Sequence, residues 1–326
     1  MAQKIIFGTV GAPSSTPKKP GGSPGAIARI KELKLGALEL AWVQSVSATD
    51  ATCVAIKAAA EEHDVALSVH APYFINLNAD KQQWPASRER LMKAARAGFK
   101  AGATDIIFHP GTYFGQPPGQ VYPVARERLA DVAAELRAEG NTVTLRPETM
   151  GKSAMFGTLE ETIQLSRDVQ GVLPCIDFAH LHARRGDGSF NSYKEFLAAL
   201  ELVKDGLGKR GLQNIHIHMS GIEYGPKGER NHLMLKEADI KYRDLLRALI
   251  DIGAAGRIVC ESPDQEVDAV LIQKAYKRLL ANSKSQISDV KASRKPQDEL
   301  AALRQTTAAS VLKPDTMWAG LPFRRF

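Results

Sequence analysis

Eight short apolar runs, each rich in β-branched residues, recur along the chain. They cover residues 4–9, 37–43, 65–70, 104–109, 142–148, 172–177, 214–219 and 257–262. The segments between them carry apolar residues at three- and four-residue spacings, as in 159–169, where Thr158 is a candidate N-cap. Strand followed by helix, repeated eight times, predicts an α/β protein with a (β/α)8 TIM barrel. An open doubly wound sheet is the main alternative, because it does not require eight units.

Six consecutive runs, the third to the eighth, end in side chains that bind metals. These residues are His70, His109, Glu148, Asp177 with His180 just beyond it, His216 and Glu261. In a TIM barrel the carboxyl ends of the strands and the loops after them form the active-site face. The chain has only 8 histidines, so this concentration at strand ends is hard to explain by chance. We expect these side chains to converge on one rim.

The chemistry of these side chains favours a transition-type divalent ion. Imidazole and carboxylate donors without thiolate suit Zn²⁺ or Mn²⁺ first, and Fe²⁺ also. The set is too large for one four- or five-coordinate ion, so at least two ions are expected. Glu148 ends the fifth run, between the two flanking groups of donors, and is predicted to bridge them. Paired ions activate a shared water and clamp a phosphoester, which indicates phosphodiester hydrolysis.

Cysteine content and the absence of signal patterns bear on the cellular setting. Cys53, Cys175 and Cys260 are the only cysteines, widely spaced and without a CxxC pair, which argues against a disulfide framework or a cysteine zinc site. The N-terminus lacks a basic-then-apolar signal pattern, and no apolar run approaches the length of a membrane span. We expect a cytoplasmic protein with no membrane partner.

The C-terminal residues are basic and differ in pattern from the rest. Residues 1–281 are predicted to form the catalytic barrel and 282–326 a C-terminal extension. The extension divides into a linker (283–297), a short amphipathic helix (298–312) and an irregular end (313–326). It carries more than half of the net charge of +7. Such a surplus suits a polyanion such as nucleic acid, and a merely solvated tail is an equally common interpretation.

Several blocks, in order from about residue 4 to 280, resemble the endonuclease IV family of apurinic/apyrimidinic endonucleases, closest to its largely archaeal branch. They read SVHAPYFINL, FHPG, PETMGK, IDFAHLHAR, HIHMSGIEYGPKGERNH and ESP. The resemblance implies a TIM barrel in which a trinuclear zinc site hydrolyses the phosphodiester 5′ to an abasic site. It implies that Glu148 and Glu261 are catalytic. The expected partner is double-stranded DNA that carries abasic sites, and the family default is a monomer.

The resemblance also implies three sets of metal ligands. The first is His70, His109 and Glu148; the second is Glu148, Asp177, His216 and Glu261; the third is His180 with an Asp-x-His pair in the loop after the seventh strand. Here that pair is replaced by ERNH, so Glu229 and His232 would serve, with one extra residue between them. His218, two residues nearer the loop than His216, is expected to be an outer hydrogen-bond donor or a substitute third-metal ligand.

The DNA contacts implied by the resemblance carry over only in part. The family's arginine in the loop after the second strand has no counterpart in AWVQSVSATD. Tyr73 and Phe74 match the aromatic-aliphatic pair that fills the gap left by a flipped nucleotide, although packing beneath the loop is an equal alternative. Basic residues in loops on the same rim are candidate phosphate contacts or solvated surface charges: Lys152, Arg184, Arg185, Lys227 and Arg230.

Two other functions compete with the nuclease. Sugar isomerases and epimerases of the same barrel superfamily also place Glu, Asp, His and Glu around one divalent ion, and would use Glu148, Asp177, His216 and Glu261. They have no need for His70 with His109 as the ligands of a first metal, nor for His180. A DNA-binding barrel with a degenerate third metal site is the other alternative. Metal content separates the three functions, with three ions, one ion, or loss of the third.

Overall fold

The computed structural model describes residues 4–19 and 21–293. Ten strands occur in this part of the chain: β1 (Ile5–Val10), β2 (Ala37–Ala41), β3 (Ala66–His70), β4 (Asp105–Phe108), β5 (Thr144–Pro147), β6 (Cys175–Asp177), β7 (Ile215–Met219), β8 (Gly221–Gly225), β9 (Gly228–Leu233) and β10 (Gly256–Cys260). Each of the eight predicted runs overlaps a strand. Most of the strands are shorter than the runs by one to three residues.

Eight of the strands form one parallel sheet in the order β5, β4, β3, β2, β1, β10, β7, β6. Isolated parallel bridges between Leu145 and Val172 and between Glu148 and Cys175 join the two outer strands. The backbone amide of Thr149 donates to the carbonyl of Cys175 across this seam (3.0 Å). The sheet therefore closes into a barrel, which confirms the predicted fold, and the open doubly wound alternative is wrong.

Helices alternate with the barrel strands in the described residues. They are α1 (Gly22–Glu32), α2 (Asp50–His63), α3 (Trp84–Lys100), α4 (Pro118–Ala138), α5 (Leu159–Asp168), α6 (Phe178–Ala183), α7 (Tyr193–Leu212), α8 (Tyr242–Asp251) and α9 (Gln265–Ser293). The predicted N-cap Thr158 accepts a hydrogen bond from the amide of Glu161, whose side chain reciprocates. This capping box starts α5 where the sequence pattern placed it.

The floor of the barrel, at the amino ends of its strands, is filled by a buried ion network. Asp105 forms ion pairs with Arg146 and, at 2.9 Å, with Arg257. Arg146 also donates to the carbonyls of Pro174 (2.9 Å) and Asn214 (3.0 Å). Burial raises the pKa of Asp105, but Arg146 and Arg257 outweigh it and hold the pKa below its usual value. One carboxylate and two guanidinium groups thus fill the floor, and their mutual attraction offsets part of the cost of burying them.

The segment after β7 differs from its prediction. It was expected to be a loop, but β8 and β9 pair as an antiparallel hairpin. Gly228 just after its turn has φ +95°, and a Cβ there would lie 2.3 Å from the carbonyl oxygen of Gly151. The glycine therefore allows the hairpin to approach the loop after β5, where Glu229 donates its amide to the same carbonyl (2.9 Å).

The last helix of the barrel is longer than the sequence predicted. A compact unit ends at Lys277, near the predicted boundary at 281, which itself stays a prediction. Helix α9 runs to Ser293 and so includes residues that were predicted as linker. The reason is that no glycine or proline lies between Gln265 and Ser293 to end the helix. The predicted short helix and irregular end lie outside the described residues.

Among the described residues, no helix is both long enough and apolar enough to span a bilayer.

Candidate metal centre

The first group of candidate ligands is His70, His109 and Glu148, which the structure brings together at the carboxyl rim. Their ligand atoms all lie within 4.8 Å of one another. His70 Nδ1 lies 2.9 Å from the carbonyl of Ala71 and donates to it, which leaves the lone pair of Nε2 facing the site. That Nε2 lies 3.3 Å from Glu148 Oε2, and Nε2 of His109 lies 3.4 Å from the same oxygen. Two imidazole nitrogens thus face one carboxylate oxygen, an arrangement that suits a shared cation.

The other oxygen of Glu148 belongs to a second group. Asp177, His218 and Glu261 each place a ligand atom within 4.8 Å of one another and of Glu148. Nδ1 of His218 lies 3.3 Å from Glu148 Oε1 and 3.5 Å from Glu261 Oε1. The two oxygens of Glu148 therefore face different groups, as expected of a bridging carboxylate.

The histidine in this second group is His218, and the expectation that His216 would occupy it is wrong. In the β6–β7 register His218 lies beside Asp177, whereas His216 lies beside Cys175, two residues deeper in the barrel. Both side chains point inward, because residues two apart in a strand share a face. His216 also shares a compact group with Cys175 and His218, but it does not lie with Glu148, Asp177 and Glu261.

Glu39, on β2, was not predicted from the sequence and holds both of these histidines. Its Oε1 lies 2.9 Å from Nε2 of His218, and its Oε2 lies 3.0 Å from Nε2 of His216. Ser68 donates to Oε2 as well (2.7 Å). Burial lowers the pKa of His216 to about 4, so this imidazole is neutral. The only sequence signal was a carboxylate within an otherwise apolar run.

A third group consists of Asp177, His180 and His232, with Glu229 beside it. Nε2 of His180 lies 3.5 Å from Glu229 Oε2 and 3.5 Å from Nε2 of His232. The Nδ1 atoms of the two histidines lie within hydrogen-bonding distance of the backbone carbonyls of Thr149 (2.9 Å) and Glu261 (3.1 Å). His232 therefore presents Nε2 to the site. His180 presents Nε2 to Glu229 and His232, and its Nδ1 also lies 3.2 Å from Glu148 Oε1.

A β-bulge accommodates the extra residue of the ERNH stretch. In the hairpin Glu223 pairs with Asn231 and Tyr224 pairs with Glu229, so Arg230 is the additional, unpaired residue. A bulge restores the alternation of faces that one inserted residue would otherwise reverse. Glu229 and His232 consequently both reach His180, and the departure from Asp-x-His does not disperse the third group.

Three carboxylate oxygens of the centre are buried without a hydrogen bond. Glu148 Oε2, Asp177 Oδ2 and Glu229 Oε2 are buried and accept no hydrogen bond. Burial raises the pKa of Glu148, but His218 and His109 lower it well below its usual value. Burial lowers the pKa of His180, but Asp177 and Glu148 raise it well above its usual value. The site therefore attracts positive charge, and its nitrogen and oxygen donors fit divalent ions such as zinc or manganese.

A cavity of about 320 Å³ opens above these groups. Tyr73 lies on its wall, with its ring 5.1 Å from the ring of His109, and is about half exposed. Phe74 is 60% exposed and borders a neighbouring cavity of about 520 Å³. The exposure of Phe74 argues against the alternative in which the aromatic pair packs beneath the loop. Both rings are available to a ligand at the rim.

The candidate phosphate contacts divide into two kinds. Arg184 donates to the carbonyls of Met150, Lys152 and Met155, so it stabilises the loop after β5 and is no longer a candidate for binding phosphate. The remaining basic side chains are exposed: Lys152, Arg185, Lys227 and Arg230. Lys152 lies 3.7 Å from Glu229 Oε1, beside the third group.

These features define a class of protein, an α/β barrel whose carboxyl rim carries three adjoining groups of side chains able to hold metal ions. The model of the xylose isomerase-like TIM barrel family matches residues 27–285, and the chain belongs to that family. The uncharacterized protein MJ0133 of Methanocaldococcus jannaschii is 40% identical over 84% of this chain and 98% of its own length.

More distant relatives include proteins named for endonuclease IV. A probable endonuclease 4 of Oceanobacillus iheyensis is 30% identical, over 50% of this chain and 54% of its own length. Among solved structures, endonuclease IV from Thermus thermophilus has a TM-score of 0.63 at 20% identity, covering 84% of this chain and 99% of its own. A D-tagatose 3-epimerase-like protein scores 0.64 at 17% identity, covering 86% and 99%. The resemblance to endonuclease IV is thus confirmed, whereas the structural likenesses support the fold alone.

Proposed function

We propose that this protein is a metal-dependent endonuclease that hydrolyses the phosphodiester 5′ to an abasic site in double-stranded DNA. The observation that carries the proposal is the position of Glu148, whose Oε2 faces His70 and His109 and whose Oε1 faces His218. A bridging carboxylate between two complete ligand groups supports a centre with at least two ions. A centre for a single ion would leave the His70–His109 pair without a role.

The residues present fit two or three divalent ions, with zinc as the expected metal. Nε2 of His70 and His109 with Glu148 Oε2 would hold one ion, and the group around His218 would hold a second. The Asp177, His180 and His232 group, with Glu229, would hold a third. Bound ions of this kind lower the pKa of water and neutralise charge on a phosphoester.

Within such a centre the chain supplies orientation and proton-accepting groups. Backbone carbonyls fix the imidazoles of His70, His180 and His232, so that each directs Nε2 to the site. Glu261, whose side chain is 11% exposed, lies at the mouth of the second group. Its position is that of a carboxylate able to accept a proton from water at the phosphate. Glu148, with no exposed side-chain surface, serves as the bridge.

DNA as the substrate is supported by the rim around the centre. Tyr73 and Phe74 offer exposed rings beside the cavity, and Lys152, Lys227 and Arg230 supply exposed positive charge from the β5 loop and the hairpin. An apolar wedge supports a duplex from which a sugar has been flipped, and the basic side chains suit phosphates. The relatives named endonuclease 4 point to the same substrate class.

The test is incision of a duplex that carries one abasic analogue, with the apo-protein reloaded with zinc or manganese. We expect incision 5′ to the analogue that stops on addition of chelator and returns with metal. An undamaged duplex of the same sequence is the control. If neither zinc nor manganese supports incision that chelator abolishes, the proposal is overturned.

A sugar isomerase or epimerase is the second candidate, and one observation favours it. Glu148, Asp177, His218 and Glu261 alone form a complete set for a single ion, as such an enzyme would require. Metal counting separates the two candidates, since the epimerase requires one ion and the endonuclease at least two. Ketohexose turnover by the singly loaded protein, without incision of DNA, would decide for the epimerase.

A further inference from the structure

Glu39 lies within hydrogen-bonding distance of His218, the histidine of the second group. It is fully buried, and it accepts three hydrogen bonds, from Nε2 of His218, Nε2 of His216 and Oγ of Ser68. A carboxylate without a proton has only acceptor positions. Both imidazoles must therefore carry their protons on Nε2 where they meet it.

This constraint has opposite consequences for the two histidines. With its proton on Nε2, His218 offers the lone pair of Nδ1, which lies 3.3 Å from Glu148 Oε1 and 3.5 Å from Glu261 Oε1. His216 also has its Nδ1 free, but that atom is buried without any partner and lies at the depth of Cys175 instead of Asp177. One carboxylate thus orients both rings, and only one of them reaches the centre.

We infer that Glu39 is a positioning residue, which fixes the tautomer and ring orientation of His218 so that Nδ1 serves as the ligand of the second ion. The inference rests on the proposed function, because it requires that an ion bind there. Carboxylates that hold metal-binding imidazoles in this manner raise the basicity of the ligand, and their loss costs about 10- to 100-fold in metal affinity.

Glu39→Gln is the informative substitution, because it keeps the shape and removes one acceptor. If the amide nitrogen faces His218, it donates to Nε2 and drives the proton onto Nδ1, the ligand atom. If the amide oxygen faces His218, the nitrogen faces His216 and Ser68, and His216 must move its proton to the buried Nδ1, which has no acceptor. Both arrangements are unfavourable, so the variant should lose affinity for one ion.

The experiment titrates zinc into metal-free full-length protein in competition with a chromogenic chelator. We expect Glu39→Gln to bind the ion of the second group about 10- to 100-fold more weakly than the wild type, with the His70–His109 group unchanged. Glu39→Asp, which keeps the carboxylate, should recover part of the affinity. Asp268→Asn is the matched control, since Asp268 is also buried but binds the amide of Leu235 (2.8 Å) away from the centre.

A measurement on the wild type does not depend on how the variant folds. With ¹⁵N-labelled histidine and bound zinc, NMR should show His218 ligated through Nδ1 and protonated at Nε2. Ligation through Nε2, or equal zinc affinities of wild type and folded Glu39→Gln, would overturn the role of Glu39 and leave the endonuclease proposal intact. Tight zinc binding with the expected tautomer but no incision of DNA would instead overturn the endonuclease and keep the inference.

Discussion

The two ends of the barrel interior both contain buried charged side chains, but the two ends differ in whether their carboxylate oxygens have hydrogen-bond partners. At the floor, both oxygens of Asp105 meet an arginine, and Arg146 adds two backbone carbonyls. At the carboxyl rim, Glu148 and Asp177 are as deeply buried, yet each leaves an oxygen without a hydrogen bond. A buried polar atom without a hydrogen bond is costly. The presence of such oxygens at the rim indicates that a ligand completes that end of the barrel.

Glu39 and His216 lie between the two ends and explain how they stay separate. His216 shares its level with Cys175 and Arg257 in the sheet registers, and it donates upward to Glu39. Its imidazole is neutral, so it adds no net charge between the arginines of the floor and the carboxylates of the rim. Stability should therefore depend mainly on the floor, and metal affinity mainly on the rim.

Substitution at the floor should give the largest change in stability. Asp105→Asn leaves Arg146 and Arg257 without a buried counter-charge, so we expect the free energy of unfolding to fall by about 3–5 kcal/mol. Denaturant unfolding of the metal-free protein measures it. Asp64→Asn, at an exposed ion pair with Lys31, is the control and should stay within about 0.5 kcal/mol. A large loss of zinc affinity in folded Asp105→Asn would contradict the separation of the two ends.

Removing the bridge should give the largest change in metal binding. Glu148→Gln removes the negative charge that two ligand groups share. Loss of a carboxylate that only holds a metal-binding histidine costs up to about 100-fold in metal affinity, and we expect the zinc affinity of Glu148→Gln to fall by more than that. Competition with a chelator measures the affinity, and incision of abasic DNA should be lost with it. The free energy of unfolding of the metal-free protein should fall as well, because the neighbouring histidines hold the pKa of Glu148 well below its usual value and so stabilise its charged form in the folded state. The control is Glu160→Gln, at an exposed side chain in the first turn of α5. If Glu148→Gln bound as many ions as the wild type, Glu148 would not be a bridging ligand.

The paired substitutions His218→Gln and His216→Gln test which histidine belongs to the centre. We expect His218→Gln to weaken the second ion by about 10- to 100-fold or more, and His216→Gln to weaken it less, because only its hydrogen bond to Glu39 is at stake. Zinc stoichiometry at a fixed chelator concentration distinguishes the two. The reverse order of effects would restore His216 as the ligand.

The sequence predicted the barrel and most of the residues at the rim. The main error was the choice of His216 instead of His218, because the sequence does not show how deep each residue of β7 lies in the barrel. Strand ends located His70, His109, Glu148, Asp177 and Glu261, because polar residues that close apolar runs are visible in a sequence. His216 and His218 share a face, so alternation could not separate them, and their level depends on the stagger between strands. Glu39 was missed for a related reason, since strands buried on both faces hide which residues point inward. The bulge at Arg230 depends on pairing across the hairpin, which spacing alone does not reveal.

The ion pairs of Asp105 at the floor should make the free energy of unfolding fall at low pH. The arginines hold the pKa of Asp105 below its usual value, so the unfolded chain takes up a proton at higher pH than the folded one. The stabilisation is therefore complete above the unfolded pKa of about 3.9 and is lost as pH falls below it, by at most about 1.4 kcal/mol per pH unit. Unfolding of the metal-free protein between neutral pH and pH 3 should show this loss, and Asp105→Asn should show a shallower slope. Equal slopes in the two proteins would mean that the acid sensitivity arises elsewhere, and that the arginines do not hold Asp105 ionised.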